Sequence, residues 1–345
     1  MVLRACAFNT GSDIHLLDHI APLASLLNIP LIVTEDENEH LARKYYPEVS
    51  VQLWPDLEFR LAEIAEQFDI LFECKYWAPH LKLLFRTLFN KEIHLIFCPH
   101  GQSDKGYGAP LLAPYALQDG ILLYGELLKE MLTELNICIP AHSVVGNYRW
   151  LYFQKHRERL RAVAQAEIFS KLKPAQRTLL YAPTWQDADH ATSFFQVLEY
   201  LSQPSDWNVI VKVHPLLEQR DPALFYRLTA SSKNALLVHK FPLLYPILER
   251  IDAYLGDYSS VGYDALKVKK PMFFLPQPHL PPARLHTCGQ VIAPDSQLLQ
   301  TIERNLCKPK NFTPQQTALY KRAFSPDGNL DQVIPDLTAA THRPT

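Results

Sequence analysis

Residues 257–271 read DYSSVGYDALKVKKP and follow the apolar run RIDAYLG at 250–256. An apolar run that stops on two adjacent serines and passes directly into a helical pattern is a strand–turn–helix unit. Its turn lies at the carboxyl end of the strand. Ser259 and Ser260 have two readings there. Small hydroxyls cap helix starts. A helix start also suits a phosphate, because its free N–H groups and its dipole both favour an anion. After the helix, Lys270-Pro271 leads into a second apolar run, PMFFL (271–275).

Outward from this unit the same alternation recurs. TLLYA (178–182), WNVIVKV (207–213), ALLVH (235–239), IDAYLG (251–256), PMFFL and QVIA (290–293) read as strands, most of them separated by helical patterns. In the first half VLRACAF (2–8), PLIVTED (30–36), DILFEC (69–74), EIHLIFC (92–98), DGILLYG (119–125) and HSVVG (142–146) read likewise. HLLDHIAPLASLLN (15–28) reads as a helix although Pro22 lies inside it. Strands alternating with helices predict parallel, doubly wound sheets. Residues 147–174 hold no strand candidate and mark the junction, so the expected domains are 1–150 and 151–345. The predicted fold class is α/β, with two Rossmann-like domains facing a central cleft. Ligands in such sheets bind beyond the carboxyl ends of the strands, and a cleft between two halves is the natural site.

Composition narrows the function. The 345 residues are 48% hydrophobic and 20% charged, as in a globular protein with a real core. Thirty-four basic against 36 acidic residues give a net charge of −2, which argues against a dedicated nucleic-acid binder. Six cysteines occur without a C-x-x-C pair, so a disulfide framework or zinc site is not expected and a reducing cytoplasm fits. The N-terminal apolar run is too short for a signal peptide. No stretch approaches the roughly 18 uninterrupted apolar residues of a membrane span.

Four polar turns follow predicted strands: PHGQSDKG (99–106), PTWQD (183–187), HP (214–215) and DYSS (257–260). Each has a bland reading. His100 can be a loop histidine held by hydrogen bonds, although Gly101 and Gly106 permit close approach to a ligand and Lys105 adds a cation. Thr184 can cap a turn, Trp185 can plug the core, Lys212 can point off an edge strand, and His214-Pro215 can be a rigid strand exit. Four such turns at four carboxyl ends of strands nevertheless converge on one cleft.

In that order and at those separations, YAPTWQD, VKVHP and GDYSSVGYDALKVKKPMFFL resemble the CDP-glycerol glycerophosphotransferase family, the bacterial teichoic-acid polymerases and primases. PHGQSDKG is similar to the family's tryptophan-histidine-glycine-threonine loop, with His100-Gly101 matching its core, and VVGNYRWLYF (144–153) is similar to the stretch before the second domain. The resemblance spans roughly residues 94–275. Here the loop lacks the tryptophan and the threonine, and Gln186 stands where the family carries arginine. Beyond PMFFL the chain runs PQPHLPPARLHTCGQVIAPD, with Arg284 and two histidines as polar landmarks.

The resemblance implies a glycosyltransferase-B fold, with an acceptor-side first domain and a donor-binding second one. It implies transfer of a glycerol-phosphate or related polyol-phosphate unit from a CDP-activated donor to a hydroxyl acceptor, with a lipid-linked acceptor as one option, and release of CMP. His100 is the expected general base, since an unperturbed histidine titrates near about 6.5. His214 is the expected phosphate-side donor or acid at the leaving CMP. Ser259 and Ser260 would hold the pyrophosphate. Lys212, Thr184 and Asp187 would shape the nucleotide pocket, while Asp257 would order the loop or the nucleotide sugar. No cofactor and no structural metal are expected, a loosely bound divalent ion staying open. No nucleic-acid partner is expected.

The expected location is cytoplasmic, with a peripheral contact on the inner face of the membrane as a further option. LKLLFRTLFNK (81–91) bears on that option. It reads as a core-packing helix, and as an interfacial one in the alternative. Two other functions stay open: a UDP-sugar transferase or 2-epimerase-like enzyme of the same fold, and a nucleotide-binding relative without turnover.

Overall fold

Apolar runs of three to six residues, bounded by polar turns and alternating with helices, assemble as parallel sheets buried on both faces. In a computed structural model of the chain, which describes residues 4–104, 112–174, 176–185, 192–231, 234–326 and 328–339, this happens twice. Contacts divide the described residues into two units.

The first unit holds β1 (Ala5–Asn9), β2 (Leu31–Val33), β3 (Val51–Leu53), β4 (Ile70–Glu73), β5 (His94–Phe97), β6 (Gly120–Leu123) and β7 (Ala141–Val144). Their order is β3-β2-β1-β4-β5-β6-β7, with every pairing parallel. The second unit holds β8 (Arg177–Ala182), β9 (Trp207–Lys212), β10 (Ala235–Val238), β11 (Ala253–Gly256), β12 (Met272–Phe274) and β13 (Gln290–Val291), ordered β10-β9-β8-β11-β12-β13 and again all parallel. Both sheets therefore run third-second-first-fourth-fifth-sixth. Each reverses direction once, between β1 and β4 and between β8 and β11, and ligands of such sheets bind beyond that point. The predicted strands are all present within a few residues. The addition is β3, three residues at a sheet edge, where Trp54 N donates to the Val33 carbonyl at 2.8 Å.

Pro22 sits inside the helix Leu17–Leu27. It has no N–H to give the carbonyl four residues back. That carbonyl belongs to Asp18, and Arg149 Nε donates to it at 2.8 Å. The same guanidinium pairs with the Asp18 carboxylate, whose Oδ1 also accepts from the Tyr46 hydroxyl at 3.0 Å. The proline is thus accommodated because a buried arginine occupies the acceptor it vacates.

Helix Leu81–Phe89 packs on the first sheet by Phe85, fully buried, with Leu81 and Phe89 beside it. Burial of one such ring contributes roughly 1.5–3 kcal/mol. Leu83 and Leu88 face solvent, while Lys82, Arg86 and Lys91 pair with Asp119, Glu92 and Asp69. The core-packing reading of this helix is the one observed.

The chain passes into the second unit at Arg157 and stays there to Lys321. From Arg322 it packs with the first unit. Ser325 N donates to the Tyr124 carbonyl at 3.0 Å, and the Ser143 hydroxyl donates to Asp336 Oδ2 at 2.8 Å. Helix Val333–Ala339 lies against β7 with Val333 and Leu337 buried. Residues 101–104 pack with the second unit, although His100, one residue earlier, packs with the first.

Candidate functional site

At the reversal point of the second sheet, β11 ends on Gly256 and the next residue is Asp257, with no exposed surface. Its Oδ1 accepts from Thr184 N, just beyond β8, at 2.8 Å. Its Oδ2 accepts from both Ser193 N and Ser193 Oγ at 2.8 Å. The Ser193 hydroxyl also meets Tyr181 OH at 2.7 Å. A buried carboxylate is tolerated when charge-assisted bonds satisfy it. Asp257 therefore fastens the two strand ends that flank the reversal point, an ordering role within the protein. Thr184 is buried and held by its backbone.

Ser259 and Ser260 follow two residues later. Ser259 is buried, and Ser260 precedes helix Val261–Ala265 in a helical conformation, with no side-chain hydrogen bond capping the helix. Instead the two serine carbonyls accept from Gly262 N at 3.1 Å and Tyr263 N at 3.0 Å.

His214 precedes helix Pro215–Arg220, and its Nδ1 accepts from Leu216 N at 3.2 Å. The neutral ring must then carry its proton on Nε2. Trp185 stands 6.2 Å from that ring and packs on the core of the unit. Lys212, on β9 between β8 and β10, donates from Nζ to the Phe241 carbonyl at 2.7 Å. Asp187 and Gln186 lie outside the described residues.

In the first unit His100 follows β5 and is exposed. Gly101 has φ 114°, a conformation that side chains rarely adopt. The His100 ring lies 6.0 Å from His15 and 6.3 Å from His19, edge to face with both. His15 and His19 come from the chain after β1, on the far side of β4 from β5. His19 Nδ1 meets Tyr124 OH at 2.9 Å, which meets Tyr148 OH at 3.1 Å. Burial, then the charge of Arg149, then His100 and His15, hold the His19 imidazole well below its ordinary pKa.

The sign follows by linkage. The unfolded chain takes up a proton at His19 below about pH 6.5 that the folded ring refuses. Acidification therefore removes stability, by at most about 1.4 kcal/mol per pH unit. His19→Gln is expected to lessen the acid sensitivity of the urea midpoint between pH 7 and pH 5. Equal acid losses in variant and wild type would refute the assignment.

The first sheet repeats the carboxylate fastening of the second. Glu73 ends β4, is buried, and accepts from Thr10 Oγ1 and, at 3.3 Å, from Thr10 N just beyond β1. Burial raises its pKa against the pull of those bonds and of Lys75. Lys75 Nζ itself donates to the Thr10 carbonyl at 2.5 Å and pairs with Asp13 at 2.8 Å.

Sequence reasoning missed Glu73, Thr10, Ser193, His15 and His19. For Glu73 a signal existed: DILFEC and IDAYLGD each close the fourth strand of a half on an acid. Among the described residues no cluster of His, Cys, Asp and Glu has the arrangement of a metal site, and no helix is long and apolar enough to cross a membrane.

Comparison with known proteins bears on this geometry. Residues 152–277 match the family model described as CDP-glycerol:poly(glycerophosphate) glycerophosphotransferase. The match contains Thr184, Lys212, His214, Asp257, Ser259 and Ser260, and ends short of the His100 loop. No curated protein matches in sequence. Among solved structures, the wall teichoic acid polymerase TagF aligns with TM-score 0.64 at 15% identity, over 97% of this chain and 90% of that one. A UDP-N-acetylglucosamine 2-epimerase, described as putative, from Listeria monocytogenes aligns with TM-score 0.62 at 13% identity, over 100% and 98%. The UDP-GlcNAc 2-epimerase from Neisseria meningitidis bound to UDP-GlcNAc gives 0.57 at 13%, over 97% and 99%. At these identities the structures speak for the fold. Residues 152–277 are thus similar to the CDP-glycerol:poly(glycerophosphate) glycerophosphotransferase family, and the chain shares with these structures a two-sheet scaffold of the glycosyltransferase-B type.

Proposed function

We propose that the chain transfers a glycerol-phosphate, or closely related polyol-phosphate, unit from a CDP-activated donor to a hydroxyl acceptor. The acceptor oxygen attacks the phosphorus that bears the polyol. The bond from that phosphorus to the bridging oxygen breaks, CMP leaves with the electron pair, and the acceptor proton passes to His100. His100 suits the base role because it is an exposed imidazole at a strand end, on a turn fixed by the positive φ of Gly101.

His214 was expected as donor or acid, and its geometry favours the first role. With Nδ1 accepting from Leu216 N, the neutral ring offers Nε2–H to a phosphate oxygen. Giving that proton up would leave an anionic ring. Ser259 and Ser260, with the amides of their turn, are the proposed pyrophosphate ligands, and Asp257 keeps that turn in register with Thr184. Lys212 and Asp187 remain proposed lining of the nucleotide pocket. The observation that carries the reading is the placement of Thr184, His214, Ser259 and Ser260 at strand ends of one sheet, all within the family match. A TagF structure soaked with CDPG has the same fold at TM-score 0.62, which supports a CDP-linked donor. The free cysteines are consistent with a cytoplasmic setting.

The likeness to UDP-GlcNAc 2-epimerases favours a second reading with a uridine donor. A thermal-shift panel of CMP, CDP-glycerol, CDP-ribitol, UMP and UDP-N-acetylglucosamine separates the two. A ligand at a hundredfold excess over its Kd adds about 2.7 kcal/mol. Stabilisation by the cytidine ligands, lost when Ser259→Ala is combined with Ser260→Ala, is the expected result. A response to uridine ligands alone moves the donor to a UDP-sugar. Undiminished cytidine stabilisation in the double variant returns the serines to a structural role.

A further inference from the structure

Three imidazoles of the first unit meet beyond the end of β5. The His100 ring has its centroid 6.0 Å from that of His15 at an interplanar angle of 80°, and 6.3 Å from that of His19 at 81°. Both separations fall inside the roughly 4.5–7 Å range of edge-to-face aromatic pairs. His15 and His19 stand one helical turn apart where the chain enters helix Leu17–Leu27, so their rings are neighbours on one face. His19 is firmly anchored. It is 8% exposed, and its Nδ1 meets the Tyr124 hydroxyl at 2.9 Å. Tyr124 follows β6 and is itself pinned. Its ring stacks on Tyr148 at 5.3 Å and 9°, their hydroxyls meet at 3.1 Å, and Phe324 packs on it edge to face at 5.5 Å. Tyr148 opens helix Tyr148–Lys155 and is buried. His100, by contrast, is exposed at its strand end, where a side chain without such ring neighbours would sample several staggered rotamers.

We propose that His19 is a positioning residue: with His15 it holds the His100 ring in one orientation, so that the base meets the acceptor hydroxyl already aligned. This deepens the function proposed above and rests on the base role of His100. One edge-to-face pair biases a rotamer equilibrium roughly three- to tenfold, and a base acts only from the orientation that brings it within hydrogen-bond reach. Burial and the charge of Arg149 keep His19 neutral. Its ring can therefore lie against the base without opposing the proton that the base takes up. The contact acts on kcat. Donor affinity is left alone, since the proposed donor ligands belong to the second unit.

The test uses the full chain in two variants. His19→Gln keeps an acceptor for Tyr124 and removes the ring, whereas His19→Phe keeps a ring and removes the acceptor. The first readout needs no ligand. In protein carrying isotope-labelled histidine, the His100 ring resonance is identified by its loss in His100→Ala. It is expected to move toward the position of histidine in a solvated peptide in His19→Gln, and to remain displaced from that position in His19→Phe. An unmoved resonance in His19→Gln overturns the proposal whatever the substrate is. With CDP-glycerol and a hydroxyl acceptor, kcat is expected to fall about three- to tenfold in His19→Gln and to recover to within about twofold of wild type in His19→Phe, with donor KM little changed in both. Unchanged kcat in His19→Gln overturns the positioning role. So does the reverse ranking, with the phenylalanine variant slower, because the bond to Tyr124 and not the ring would then matter. A wild-type chain that does not turn over CDP-glycerol removes the proposed reaction instead, and the resonance alone then decides whether His19 holds the His100 ring.

Discussion

Asp257→Ala is expected to lower the stability of the second unit by about 4 kcal/mol, seen as a melting temperature roughly 10 °C lower. The carboxylate is wholly buried and accepts from Thr184 N, Ser193 N and Ser193 Oγ. Alanine strands three donors at once, and water cannot reach them without opening the sheet. Bonds to a charged acceptor contribute about 1.5–3 kcal/mol each. Because the three share one carboxylate, their losses do not add in full. Asp257→Asn should fall between, since an amide keeps one accepting oxygen but turns an N–H toward a backbone N–H. Calorimetry on the three proteins decides the matter. A melting temperature for Asp257→Ala within a degree or two of wild type would show that the strand ends are held by something else.

His100→Ala should have the opposite profile. The side chain is exposed, so the fold and the melting temperature should not change. The proposed donor ligands come from the second unit, so nucleotide affinity should hold as well. Turnover with CDP-glycerol and a hydroxyl acceptor should drop by about a thousandfold, within the range a positioned general base supplies. The base reading fails if the variant loses affinity in step with rate, or retains wild-type turnover. The two variants are thus expected to separate stability at one strand end from turnover at the other.

What could be read from the residues, and what could not, follows from range. The strands were legible because a run such as TLLYA or LIFC is apolar throughout, as a strand covered on both faces must be. Val51–Leu53 was not, being three residues long at an edge and offering no periodicity to detect. The turn residues His100, Thr184, His214 and Ser259 were legible because they stand directly after strands. Their partners were hidden: Ser193 meets Asp257 across 64 positions, and Asp104 meets Tyr263 across 159. No local pattern encodes such a pairing. Pro22 shows the converse. Its place inside a helix was plain, but the arginine that makes it tolerable lies 131 positions beyond Asp18.

The return of the chain to its first unit has a consequence for synthesis. Ordinarily the half made first can finish folding while the rest is translated. Here β7 and Tyr124 receive Ser325 and the helix Val333–Ala339 only after everything up to Lys321 has been made. The fit is close: a methyl group on Gly125 would stand 2.7 Å from the Arg322 carbonyl oxygen. At about 5–20 residues per second, the interval between His156 and Arg322 lasts roughly 10–30 s. Through it the later half can close while the earlier half waits with an outer strand of its sheet uncovered, a surface that invites pairing with other chains. The segment from Arg322 onward is therefore the clasp of the first-made domain, and the aggregation-prone stage lasts until it has been made.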